Sequence, residues 1–88
     1  MITIYKYEIP IAGSFNISMP TSAQILTCQL QNGSSPVLWA SVNTEEILEE
    51  RKFILIGTGN PFPEKFNLNY VGTFQMGGFV GHLFEEIE

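Results

Sequence analysis

Few side chains in this sequence have types and spacing suited to chemistry. There is one histidine, His82, one cysteine, Cys28, nine glutamates, no aspartate, and four cations, Lys6, Arg51, Lys52 and Lys65. No nucleophile motif surrounds Cys28 or any serine, so neither a Ser/His/acid nor a Cys/His arrangement is indicated. The carboxylates come mainly as local runs, Glu45-Glu46, Glu49-Glu50 and Glu85-Glu86, which read as solvated faces rather than acid/base pairs. Metal binding needs clustered His or Cys ligands, and one of each cannot make a cluster. The expectation is a protein that is not an enzyme and has no metal and no cofactor.

One stretch could hold a ligand: "GTGNPFPEKF", residues 57–66. Its glycines suggest a phosphate cradle, but the spacing is not that of a P-loop or a dinucleotide fingerprint, and no helix follows. A stiff turn containing Pro61 and Pro63 is the simpler reading. Against it stands the charge: Arg51, Lys52 and Lys65, three of the four cations, flank this segment of an acidic chain. An anion there would meet backbone N–H groups of Gly57, Thr58 and Gly59, with Asn60 beside them and charge from Arg51 and Lys65. Tyr70, Thr73, Gln75 or His82 would orient a base or ribose. His82 sits on a strand pattern with Val80 and Phe84 on its own face, so a satisfied core or rim residue is the competing reading.

The elements that must position these residues are strands. "ITIYKYEIPI" alternates, with Tyr5, Tyr7, Ile9 and Ile11 on one side and Ile4, Lys6 and Glu8 on the other. "FNISMP" puts Phe15, Ile17 and Met19 on one face, and Pro20 ends that strand or lies at an edge. "AQILTCQLQ" places Leu26, Cys28 and Leu30 together. Asn32-Gly33 predicts a two-residue type I′ hairpin into "SPVLWASV". "NTEEILEERK" is the one helix-like piece, with Thr44 as its cap, and an irregular charged loop is the alternative. "KFILIG", "YVGTFQM" and "FVGHLFEEI" complete the strands, the last two joined by a turn at Gly77-Gly78, and "EEIE" reads as a solvated end. The expectation is all-β: one domain over residues 1–88, a compact antiparallel sandwich or small barrel of six to seven short strands, with at most one short helix.

Composition excludes several partners. With nine Glu against four Lys and Arg, the formal net charge is −5. Nucleic-acid binding is disfavoured, because affinity for a polyanion comes from many cation–phosphate contacts. No apolar run approaches a membrane span, and no signal peptide opens the chain. With Cys28 read as a buried structural thiol, a soluble cytoplasmic protein is expected. A domain this small has a modest core, and burial against another copy would strengthen it, so a homo-oligomer is expected.

Five segments together carry a resemblance: "IYKYEIP", "AQILTCQLQNG…PVLWA", "FILIGTGNPF", "YVGTFQ" and "VGHLFE". In their order, across nearly the whole chain, they resemble a family of small phage and bacterial proteins known only as a domain of unknown function. Its pattern has an aromatic-Lys-aromatic opening strand, a "QNG-x-P-x-LWA" hairpin, a "GTGHP" loop and a "YVGTFQ…HLFE" ending. This chain departs at Asn60, where the pattern has His. The resemblance implies a phage-type protein, and small oligomeric phage proteins include sponges for the nucleotide signals of bacterial defence. What it implies here is a binder of a small nucleotide-like anion, such as a cyclic ADP-ribose isomer or a cyclic oligonucleotide. The alternatives are an acidic module that docks on a host or phage protein, and an enzyme that degrades such a signal.

Overall fold

The computed structural model describes residues 1–64 and 67–87. Seven strands run through it: β1 (Ile2–Glu8), β2 (Ser14–Pro20), β3 (Gln24–Gln31), β4 (Ser35–Asn43), β5 (Leu48–Gly57), β6 (Asn67–Met76) and β7 (Phe79–Ile87). All pairings are antiparallel. A three-stranded sheet has the order β1-β4-β3, and a four-stranded sheet the order β2-β5-β7-β6. The all-β antiparallel architecture is the one the alternating pattern predicts, and no helix occurs among the described residues.

The two sheets face one another and bury a single core. Alternation along each strand decides its members. Leu38, Ala40 and Val42 of β4 face Met19, Phe53, Leu55, Leu83 and Phe74 from the other sheet, with Cys28 and Ile9 in the same cluster. The sheets meet most closely along β3 and β6, the edge strands on one side. Gly72 allows this approach. A Cβ built there would lie 2.8 Å from the Cys28 Sγ and 3.4 Å from the Cys28 carbonyl oxygen. Each of these strands carries an irregularity in its register at this seam, between Ile25 and Thr27 and between Tyr70 and Gly72.

That irregularity in β3 corrects one expectation. Leu26 does not share a face with Cys28: the bulge turns it outward, 51% exposed, while Ile25 packs against the core. Asn32 and Gly33 both have positive φ, 57° and 74°, as the hairpin signal requires. The loop, however, holds Ser34 as well, between the paired Gln31 and Ser35. Gly77-Gly78 joins Met76 to Phe79 as expected.

The helix-like segment is not helical. Residues 44–47 form a turn tied down by long-range bonds. The Thr44 N–H donates to the Met1 carbonyl and the Thr21 N–H to the Ile47 carbonyl, and the Asn43 side chain accepts from the Glu45 N–H. From Leu48 the chain is already strand, pairing Glu49 with Met19 and Arg51 with Ile17. Partners on β2 supply bonds that an isolated helix of this length could not match. The acidic end is likewise strand through Ile87, and Glu85 within it is buried.

Candidate functional site

Directly opposed residues of an antiparallel ladder point to the same face. On the side of the four-stranded sheet away from the core, the registers therefore align Ile54, Phe84 and Tyr70 in one row and Ile56, His82 and Thr73 in the next, with Val80 and Gln75 beyond. The loop after β5 bends back over this face. Its first four residues form a tight turn in which the Asn60 N–H donates to the Gly57 carbonyl at 3.0 Å and Gly59 takes φ of 90°. That is the left-handed position that a type II turn reserves for glycine. The Thr58 N–H is bound to the Val80 carbonyl. One of the three amides expected to meet a phosphate, that of Thr58, is thus already engaged, and so is the neighbouring Asn60 N–H.

The turn delivers two side chains to the sheet. Thr58 places its hydroxyl 2.7 Å from His82 Nε2. Phe62 sets its ring edge-on to Phe84, centroids 5.2 Å apart, and Tyr70 flanks Phe84 on its other contact at 5.5 Å. Phe62 and Tyr70 remain 55% and 61% exposed. The result is an open platform of three rings, with Pro61 and Pro63 walling a recess of about 290 Å³ above Ile54 and Ile56.

A chain of hydrogen bonds runs along the edge of this platform. Tyr70 Oη lies 2.7 Å from Thr73 Oγ1, Thr73 Oγ1 lies 2.9 Å from His82 Nδ1, and His82 Nε2 meets Thr58. A neutral imidazole donates through one nitrogen and accepts through the other. The chain can therefore run in either direction. With Nε2 protonated, Thr58 accepts from His82 and keeps its own proton to offer outward, while Tyr70 donates to Thr73. With Nδ1 protonated, every bond reverses and the Tyr70 phenol is the group left with a proton to give. A ligand touching both ends meets one donor and one acceptor in either case, and selects the direction.

The residues singled out from the sequence divide accordingly. Thr58, Tyr70, Thr73 and His82 are brought into one network; Gln75 lies on the same face, and Gly57, Gly59 and Asn60 build the turn beside it. Arg51 is not part of this site. It lies at the seam, where its guanidinium takes Glu85 in a bidentate pair at 2.5 and 2.8 Å and donates to the Ala23 carbonyl at 2.6 Å. Glu85 raises the Arg51 pKa further above its usual value. A cleft of about 370 Å³ opens there, lined by Gln24, Asn69, Tyr70 and the paired charges. Lys65 lies outside the described residues. Phe62 on the platform and Glu85 at the seam are residues that the sequence did not single out. Period-2 alternation from His82 points to Phe84, whereas Phe62 reaches the sheet only through the path of the loop.

Cys28 takes no part. It is 2% exposed, and burial pushes its thiol up to about 11. Among the described residues no group of three or more His, Cys, Asp or Glu side chains is placed to hold a metal ion, and no helix is long and apolar enough to cross a membrane.

The profile of a family described as a domain of unknown function (DUF7352) matches residues 1–88, and the chain belongs to that family. No curated protein matches it, and no solved structure does.

Proposed function

We propose that the protein is a binding module that sequesters a small nucleotide-derived ligand on the outer face of the four-stranded sheet, without turning it over. The observation that carries this reading is the juxtaposition of three rings, two of them more than half exposed, with the reversible Tyr70–Thr73–His82–Thr58 chain. Rings of this kind stack a base, at about 1–3 kcal/mol each. The hydroxyl chain suits the donors and acceptors of a base edge or a ribose. The ligand is thus held by its nucleoside part more than by its phosphates, since Arg51 is already neutralised by Glu85. A cyclic ADP-ribose isomer or a cyclic oligonucleotide fits this chemistry. In a phage-encoded protein such binding would remove a defence signal from the host cytoplasm.

Calorimetry tests the reading, with a panel of cyclic nucleotides, ADP-ribose derivatives and free nucleosides. A member of the panel binds, and Phe84→Leu and Thr73→Val each weaken it at least ~10-fold, the equivalent of about 1.4 kcal/mol. Gln31→Ala, on the other sheet, leaves it unchanged. Absence of binding across the panel, or binding that survives both substitutions, would remove the proposal. A second reading, docking on a partner protein, draws on the same exposed rings; one stoichiometric protein recovered in a pulldown, with no small molecule released on denaturation, would favour it.

A further inference from the structure

We infer that the free edge of β1 pairs antiparallel with β1 of a second copy, joining two three-stranded sheets into one of six strands. This does not rest on the ligand reading, which concerns the other sheet.

The backbone shows which groups are available. The Ile9 N–H donates to the Pro36 carbonyl and the Thr44 N–H to the Met1 carbonyl, in the register that pairs Ile2 with Asn43 and Glu8 with Val37. Hydrogen-bonded pairs alternate along an antiparallel ladder. The odd residues of β1 therefore bond to β4, and the N–H and C=O groups of Ile2, Ile4, Lys6 and Glu8 point away from it, toward the open edge.

The other edges are guarded. β3 and β6 pack against each other and both are irregular. β2 ends in Pro20, which has no N–H to give to a further strand. β1 has no proline and no bulge in its register. It also exposes apolar side chains on both faces: Ile2 is 76% exposed, Ile4 59% and Tyr5 41%. An edge of this kind is a template for another strand.

The strand is complementary to itself. Tyr5 is the midpoint of Ile2–Glu8. Antiparallel pairing about Tyr5 uses the whole strand, setting Ile4 opposite the partner's Lys6 and Ile2 opposite the partner's Glu8. These are all outward-facing residues, so each such pair can exchange two main-chain hydrogen bonds. No like charges are opposed. Sliding the pairing to centre on Lys6 would set lysine against lysine. β1 carries one Lys and one Glu in a chain of net charge −5, so this edge opposes association less than the acidic remainder of the surface. The two-fold axis passes between the two Tyr5 residues, a closed isologous contact.

The register gives a specific test. Tyr5 and its symmetry mate form a non-hydrogen-bonded pair, with Cα atoms about 4.5 Å apart, within the range a disulfide spans. Ile4 and its mate are diagonal neighbours about 7–8 Å apart, beyond that range. Under mild oxidation Tyr5→Cys is expected to give a covalent dimer and Ile4→Cys to remain uncrosslinked; buried Cys28 supplies little background. Ile4→Pro removes an N–H that faces the open edge and leaves the β1–β4 bonds in place. Sedimentation velocity over a dilution series should show a dimer for the native chain and a monomer for Ile4→Pro. A monomer at every concentration, a dimer that Ile4→Pro leaves intact, or equal crosslinking of both cysteine variants would overturn the inference.

Discussion

The contact between Gly72 and Cys28 allows the packing of the two sheets to be tested by a double-mutant cycle. Gly72→Ala adds a methyl carbon 2.8 Å from the Cys28 Sγ, well inside van der Waals contact, and 3.4 and 3.5 Å from the Cys28 carbonyl oxygen and amide nitrogen. The backbone atoms could accommodate it with little movement; the sulfur could not, because Cys28 is buried in the core cluster. Overpacking of this kind costs about 1–3 kcal/mol, so about 2 kcal/mol is expected for Gly72→Ala. Cys28→Ala removes one buried heavy atom and should cost about 1 kcal/mol, comparable to other single-group deletions in a core. Independent sites would then sum to about 3 kcal/mol. In the double variant the clashing sulfur is gone and the new methyl occupies part of its space, so the total should be only about 1.5 kcal/mol, a coupling of about 1.5 kcal/mol between the two positions. Urea denaturation at one fixed protomer concentration measures this. With a slope near 1 kcal/mol/M for a domain of this size, Gly72→Ala should lower the midpoint by about 2 M and the double variant by about 1.5 M. Additivity within about 0.5 kcal/mol, or a Gly72→Ala variant as stable as the native chain, would show that the seam is not packed as described.

The Arg51–Glu85 pair should be costly to break. Its side chains are 19% and 10% exposed, and Arg51→Ala leaves a buried carboxylate and the Ala23 carbonyl without their donor. A loss of about 3 kcal/mol in urea denaturation is expected, and a loss under about 1 kcal/mol would contradict the pairing. The Cys28 thiol predicts a pH dependence. Its pKa is about 11 in the fold against 9.0 for an ordinary thiol, so between those values the unfolded chain loses the proton first and stability falls as pH rises. From pH 9 to 11 the native chain should lose about 1–2 kcal/mol more than Cys28→Ala, and equal losses would refute this. Gly33→Ala places a side chain at φ of 74° and should cost about 1 kcal/mol by the same assay, with no loss of fold by circular dichroism.

Most of the architecture was legible because the sequence states it twice, in alternation and in turn chemistry. β2, β4 and β7 follow their period-2 patterns, and Asn32-Gly33 and Gly77-Gly78 mark two hairpins. Two kinds of feature were not legible. A bulge adds a residue without changing composition, so the shift that turns Leu26 outward leaves no local trace. The segment before β5 has helix-forming composition, and only its partners on β2 and at Met1 decide that it is turn and strand. Both depend on distant parts of the chain.

The same misreading of the segment before β5 bears on the cations around the loop, because the fold commits Arg51 elsewhere. Read as part of a helix or a loose loop, Arg51 and Lys52 are neighbours that could converge with Lys65 on one ligand. In a strand, neighbours point to opposite faces. Arg51 opposes Ile17 on the core side, and Lys52 opposes Asn16 on the outer side. Once β5 begins at Leu48, Arg51 and Lys52 are divided between two surfaces, and Arg51 is buried against Glu85, a residue from the stretch that read as a solvated tail. Of these cations, Arg51 therefore serves a structural ion pair at the seam, while Lys52 stands on the outer side. The alternation that removes Arg51 from the loop also brings His82 and Phe84 to the outer face, with Thr73 and Tyr70 opposite them. Any affinity for a nucleotide should then come mainly from rings and hydroxyls, and should depend only weakly on salt. A steep fall in binding with ionic strength would return the argument to the phosphates and to a cation that this face does not draw from Arg51.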